Sequence, residues 1–357
     1  MRQDPGGGDA VARRAWIAGV LLGVAPLLGA QEPVAPPAAA HAAPQEEQAA
    51  TAHRAYLERL APQLAGSGQP RALAFAALLR DMDALAESSA EGNPPDADAQ
   101  AWRRKAFSRA GADVVALALL VAGADAEDAV RADAAARWRQ VEPSNLAAWL
   151  SNPDASPQQV LEAARTAARV DGHMYAQLRW ILQAHRDHPP SPAEAARIHG
   201  GGNGQPATLD DFAAIHGMAL LAATATPRFQ PLLEFCRRAG TQAPGSMQAQ
   251  DCRRAGELLM SGDTFLVRMT GLALADGTAR DAVERGRLAE ARRRFDWQML
   301  QWGRLSGSAP GGGIGDFVRL LRDPAIDDEP ALVERLLREA GIPLDPPAGW
   351  RAPNRRN

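Results

Sequence analysis

Prolines, glycines and capping residues divide this chain into segments that suit short helices, and the stretch from Glu142 to Val170 shows the rule most clearly. Pro143 ends the preceding helix, because it has no N–H to give and holds Glu142 out of the αR region. Ser144 or Asn145 can cap the next start. Leu146, Trp149 and Leu150 then fall at i, i+3 and i+4, on one helical face. Asn152-Pro153-Asp154 stops that helix. Ser156-Pro157-Gln158-Gln159 restarts the chain with a capping box and a proline at the first helical position. Val160, Ala164 and Ala167 form a narrow apolar stripe whose small side chains let two helices approach closely, with Glu162, Arg165 and Arg169 turned elsewhere. The unit is a helical hairpin.

The rest of the chain repeats the pattern. Alanine is abundant, aromatic residues make up only 5%, and alternating Val/Ile/Thr runs are absent, which argues for an all-α fold. The 357 residues suffice for one elongated or two compact domains. A net charge of −3 removes any bulk attraction to nucleic acid or anionic lipid. Lys105 is the sole lysine, a coding bias toward arginine rather than a functional choice.

The order Pro143, Asn145, Ala148-Trp149 resembles the junction between tetratricopeptide repeats, where a proline closes one unit and a tryptophan opens the next. The resemblance covers roughly one unit. The Leu-Gly pair expected behind the tryptophan is missing, and Asn152-Pro153 cuts the first helix short. What it implies is a fold type, helical hairpins stacked as a TPR-like or α-solenoid-like array, and nothing about a binding groove. An ordinary hairpin in an all-α domain is the other reading.

Residues 1–30 read as a signal peptide. Arg13-Arg14 supply the positive end, and Ala15–Leu28 is an apolar run shorter than the ~20 residues of a membrane span. Leu28-Gly29-Ala30 is the cleavage site, with Ala38-Ala39-Ala40 as a second choice. The expected location is periplasmic or secreted; the alternative is an inner-membrane anchor formed by an uncleaved signal. Residues 31–48 read as a disordered Ala/Pro-rich linker. Residues 49–199 form an N-terminal helical region, and residues 205–344 a C-terminal one that carries the cysteines. The glycine loop Gly200–Gly204 lies between the two, and 345–357 is a flexible tail. Val114–Ala122 is the most apolar stretch of the mature chain, too short to span a bilayer. Thr278–Leu305 is the longest helix, with Leu288, Ala291, Phe295, Met299, Trp302 and Leu305 along one face. The last helix, about Asp328–Ala340, ends in a Gly341-Ile342-Pro343 cap.

Cys236 and Cys252 are the only cysteines, on consecutive predicted helices, and in an oxidising compartment they pair as a disulfide. In a cytosolic protein they would be buried free thiols. Histidines gather at His173, His185, His188, His199 and His216. His185 and His188 stand at i, i+3, a spacing that can share a metal, but no cysteine and no His-Glu-x-x-His spacing completes a site. His185 and His216 continue apolar stripes, as core histidines with a hydrogen-bond partner do. The loops at 200–204 and 311–315 lack a following Lys-Ser/Thr and a preceding strand, so they read as linkers and not as phosphate cradles. Ser306 is not in a nucleophile elbow. Asp210-Asp211 and Asp327-Asp328-Glu329 read as helix caps. Arg285, Arg287, Arg292, Arg293 and Arg294, interleaved with Glu284, Glu290 and Asp296, read as a solvated face of ion pairs.

The signal, the Pro-Ser-Asn-Leu-Ala-Ala-Trp hairpin and the cysteine pair together resemble, loosely, the secreted α-helical proteins of high-GC bacteria. The expected function is that of a non-catalytic exported helical-repeat scaffold for an unknown protein partner. No cofactor, no metal, no nucleic acid and no membrane span after signal cleavage are expected. The alternatives are a periplasmic enzyme with a His/carboxylate site in the second half, near His173–His216, or a small-ligand binder. For the binder, Trp180, Trp297 and Trp302 would be the walls.

Overall fold

The computed structural model describes residues 39–87, 96–123, 129–152, 154–199, 208–242, 245–308 and 313–353. They are all-helical, and the one strand-like feature among them is an isolated parallel bridge between Asn145 and Arg169. Residues 1–30, read as a signal peptide, and the loop 200–204 lie outside the described residues.

Helix α1 (Ala39–Gly66) turns at Gly68, φ 68°, into α2 (Pro70–Glu87). Asp96 caps α3 (Ala97–Ala110) through the N–H groups of Asp98 and Ala99, and Asp113 caps α4 (Val114–Val121) in the same way. Helix α4 is buried from Val115 to Val121, which is why it carries no polar face. α5 (Ala129–Val141) packs on α3 and α4, while α2 lies against α1, α3 and α4. The hairpin read from the sequence follows as α6 (Ala147–Leu150) and α7 (Pro157–Ala164), the latter opened by the Ser156/Gln159 capping box. Val160, Ala164 and Ala167 are buried as the stripe requires.

Helix α8 (Met174–Asp187) packs on α4, and α9 (Pro192–His199) returns to α1. Helix α10 (Leu209–Thr224), opened by a Thr208/Asp211 capping box, lies along α8. The helices on either side of the glycine loop therefore share one core, and a single apolar cluster runs from Tyr56 to Leu337.

In the second half, α11 (Gln230–Gln242), α12 (Met247–Leu259) and α13 (Phe265–Gly277) pack on one another, and α7 rests on α11 and α12. The α12–α13 approach depends on glycine: a Cβ on Gly271 would stand 2.4 Å from the Met260 nitrogen. Helix α14 (Ala282–Ser308) leans on α13 and on α16 (Glu329–Glu339). On its inner face Leu288 is buried, and Phe295, Met299, Trp302 and Leu305 pack against the core. The α16 cap is as expected, with Gly341 at φ 68° and the Ile342 N–H bonded to the Leu337 carbonyl at 2.8 Å.

Three expectations change. Helix α1 begins at Ala39, inside the stretch read as linker, because the alanines that flatten its hydropathy also favour helix. Helix α15 (Ile314–Leu321) begins inside the stretch 311–315 that reads as a glycine linker and runs on past it; Gly313 turns the chain at φ 76°, and Val318, Leu320 and Leu321 bury against the core. The tail is tied down over 345–353. Arg293 donates to the Pro347 carbonyl at 3.2 Å, Arg294 pairs with Asp345 at 3.3 Å, and Trp350 packs edge-on against Trp297 at 5.4 Å.

Candidate functional site

Four places bring chemistry-bearing side chains together, and they differ in whether anything is left over for a ligand.

The first is a cluster of rings where α1, α8 and α10 meet. His53 and Tyr56 stand three residues apart on one face of α1; His185 comes from α8, and Phe212 and His216 from α10. The Tyr56 hydroxyl lies 3.0 Å from the His188 carbonyl, to which it donates, and 2.7 Å from His185 Nδ1. Having given its proton to the carbonyl, it accepts from Nδ1–H. That leaves His185 Nε2 as an acceptor for His216 Nδ1–H, 3.3 Å away. His53 packs edge-on against His216, and its Nε2 is buried without a hydrogen-bond partner among the described residues. Burial holds the His53 imidazole down at about 4. Burial, with the nearby His53, holds His185 at about 3. His216 is likewise far below its ordinary value, by burial and then by its two neighbours. All three rings are neutral at physiological pH. Sequence reading placed His185 and His216 in the core and missed His53 and Tyr56, which lie too far upstream for any local pattern to connect them.

The second is centred on Glu142. Its Oε2 accepts from Trp138 Nε1 at 2.8 Å, Asn145 Nδ2 at 2.9 Å and His173 Nε2 at 2.8 Å, and Arg169 reaches its Oε1 at 2.5 Å. Burial raises the carboxyl, but the donors from His173, Asn145 and Trp138 and the proximity of His173 outweigh it and bring it to about 2. Four donors from its own chain converge on it, so this carboxylate is a structural hub. His173 itself adopts φ 56°, the one non-glycine residue at positive φ among the described residues. Of the repeat residues, Pro143 lies inside the turn after α5, which the Asn145 N–H closes on the Glu142 carbonyl at 3.1 Å, and Asn145 bridges to Asp171. Trp149 lies half-buried under the Arg139 guanidinium, 4.6 Å from its ring centroid.

The third joins three helix starts. Asp263, just before α13, is buried and accepts the Gly172 N–H at 2.9 Å, ahead of α8. Its carbonyl accepts the Glu329 N–H at 3.0 Å, and Glu329 accepts the Phe265 N–H at 2.7 Å. Burial, then the charge of Asp171, pushes Asp263 up to about 7 against the backbone donors of Gly172, Asp263 itself and Met174. Burial also raises Glu329. Asp328 caps α16 through Ala331, as read from the sequence.

The fourth is open. A cleft of about 780 Å³ lies between α11, α13 and α14. Leu233, Leu272 and Leu288 are among its apolar lining, and Glu234, Arg237, Asp276 and Arg292 are its charged residues. Cys236 also lines it and is bonded to Cys252, with the two Cα atoms 5.6 Å apart, so the disulfide staples α11 to α12 beside the cleft.

The other candidates stay apart. Trp180 packs on Phe75, Trp302 on Phe265 and Trp297 on Trp350, so the three tryptophans belong to different contacts. Asp210 pairs with Arg186 and Arg322. Four of the α14 arginines are ion-paired: Arg292 with Asp296, Arg293 with Glu290, Arg294 with Asp345 and Arg287 with Glu284. Among the described residues no group of three or more His, Cys, Asp or Glu side chains is arranged to hold a metal ion. The His199 side chain lies outside them. No protein-family model matches the chain, and neither a curated protein nor a solved structure is significantly similar to it.

Proposed function

We propose that the protein is an exported, non-catalytic helical scaffold, its hairpins stacked in a tetratricopeptide-like manner, that holds a partner protein in the cleft between α11, α13 and α14. The observation that carries this reading is the contrast between that open cleft and the closed polar clusters. The three imidazoles are held neutral by burial, with His185 fully buried, and the Glu142 carboxylate is engaged by four donors of its own chain. That carboxylate is thus occupied, and the unpartnered His53 Nε2 is buried, which disfavours an enzyme built on His173–His216. The cleft combines an apolar floor with charges of both signs. An amphipathic helical segment of a partner, apolar on one face and flanked by both charge signs, fits that lining.

Export is supported by the Cys236–Cys252 disulfide, which suits an oxidising compartment, and by the signal-like residues 1–30. The periplasm or the exterior is the proposed location, the alternative remaining an anchor through residues 15–28. No described helix is long and apolar enough to cross a membrane. Nucleic acid is not a proposed partner.

The test is site-specific photo-crosslinking in exported protein. Ala273 and Ala289 line the cleft and are exposed; Glu162 is exposed on α7 outside it. One partner crosslinked from both cleft positions, absent from position 162 and lost on Arg237→Glu, supports the reading. Equal capture from all three positions overturns it. The cleft volume also falls within the roughly 300–1,000 Å³ of small-ligand sites, which keeps a ligand binder as the second reading. A compound that raises Tm in wild type but not in a cleft-filling Ala273→Trp variant would favour it.

A further inference from the structure

The ring cluster has a property that scaffolding does not require. His53, His185 and His216 come from three different segments, and the ring centroids stand 5.2 Å apart for His53–His216 and 5.4 Å apart for His185–His216. Every hydrogen bond in the chain from His216 through His185 and Tyr56 to the His188 carbonyl joins neutral groups. None of the three rings is hydrogen-bonded to a carboxylate among the described residues. The charged side chains around the cluster are already engaged. From α1 and α9, Arg59 and Glu194 pair at 2.7 Å beside Tyr56. From α10, Asp210 is held by Arg186 of α8 and by Arg322, and Asp211 closes the Thr208 capping box. From α2 the wall is Phe75, which is apolar. A proton arriving on any ring therefore meets no free counter-ion and repels a proton on the next ring.

We infer that this cluster is a proton-operated latch, in which acid releases α1 as a unit, from α8 and α10 at the rings and from α2, against which it also packs. Helix α9 goes with it, because it packs on α1 and is tied to it by Arg59–Glu194. Release uncovers the inner face of α1, where Tyr56, Leu57, Leu60 and Leu64 are buried. The latch is cooperative for a physical reason. A ring kept neutral when closed takes up a proton on opening once the pH is below its free value. Each such ring multiplies the opening constant by up to about tenfold per pH unit. Three rings acting together approach a thousandfold per unit, and a single ordinary histidine gives at most tenfold.

The experiment is amide hydrogen exchange on the full exported chain between about pH 4.5 and 6, corrected for intrinsic exchange rates. It compares peptides over Tyr56–Leu64 with peptides from the disulfide-linked α12. The expected result is an opening constant for α1 that rises about a hundredfold or more per pH unit, clearly steeper than that of α12. A smaller rise, or the same rise in α12, overturns the proposal. His53→Leu removes one ring and should lower the slope by about one proton; an unchanged slope in the folded variant also overturns it. Should that variant fail to fold, ring-nitrogen chemical shifts of the wild type decide. All three rings stay neutral while α1 remains protected, or one of them protonates near its ordinary value with α1 still closed and the latch is refuted.

Discussion

The side-chain amide of Asn145 pairs with the backbone of Asp171 in both directions: Nδ2 donates to the Asp171 carbonyl at 2.8 Å, and the Asp171 N–H donates to Oδ1 at 3.0 Å. The same amide also donates to Glu142 and accepts the Ala147 N–H at 3.1 Å. One buried side chain thus stands in for a strand partner and holds the turn after α5 against the approach to α8. Asn145→Leu leaves several buried polar groups unpaired and should lower unfolding stability by about 2–4 kcal/mol. Urea titration checks this, and a loss under ~0.5 kcal/mol would sink the bridging role.

Glu142 ties the same junction to His173 and Arg169 and sits at about 2 in the fold, against 4.5 for a free glutamate. A carboxyl depressed by folding contributes stability that is fully present above its unfolded value and lost as the pH falls through the folded one. Stability should therefore decline between about pH 4.5 and 2, by up to roughly 3 kcal/mol from this group. Glu142→Gln should flatten that part of the pH–stability curve. An identical acid limb in the variant would assign the effect elsewhere.

Asp263 behaves in the opposite sense. Its folded value is raised from 3.8 to about 7, so its burial costs progressively more as the pH rises between those limits. Asp263→Asn keeps an acceptor for the Gly172 N–H and removes the charge. The variant should match wild type near pH 4 and exceed it at pH 8 by on the order of 2–4 kcal/mol. A variant less stable than wild type at pH 8 would contradict the burial argument.

The disulfide closes a loop with a sequence separation of 16. Cys236→Ser/Cys252→Ser should lower stability by about 3 kcal/mol in the chain-entropy account. Mass spectrometry of exported wild type under non-reducing conditions should find no free thiol. Finding two would remove the staple and weaken the case for export.

Two glycines separate packing from propensity. Gly271→Ala drives a methyl group into the Met260 backbone and should cost about 1–3 kcal/mol or more by overpacking. Gly286→Ala on α14 meets nothing within 4 Å and should stabilise by up to roughly 1 kcal/mol. Thermal melts that order the two variants the other way would show that α12 and α13 do not pack as closely as described.

Much of the helical framework was legible because its signals are local. Capping boxes at Ser156 and Thr208, the Gly341 cap and the alanine-rich stripes act within a turn or two of chain, where a single sequence carries all the partners. Helix α15 escaped notice because flanking glycines dilute a short amphipathic run. The partners of the Glu142 hub were in plain view as residue types, yet only folding brings Arg169 and His173 onto one carboxylate.

The amino-acid order by itself set the all-α class and most helix limits, and it left Cys236 and Cys252 as the one pair a disulfide could join. Tertiary structure alone decided that His53 and Tyr56 join His185 and His216, that Asp263 is pressed into a buried junction, and that a cleft opens between α11, α13 and α14. The reason is range. Propensity and capping are summed along the chain, whereas burial, desolvation and ring contact depend on which distant surfaces the packing of helices places together.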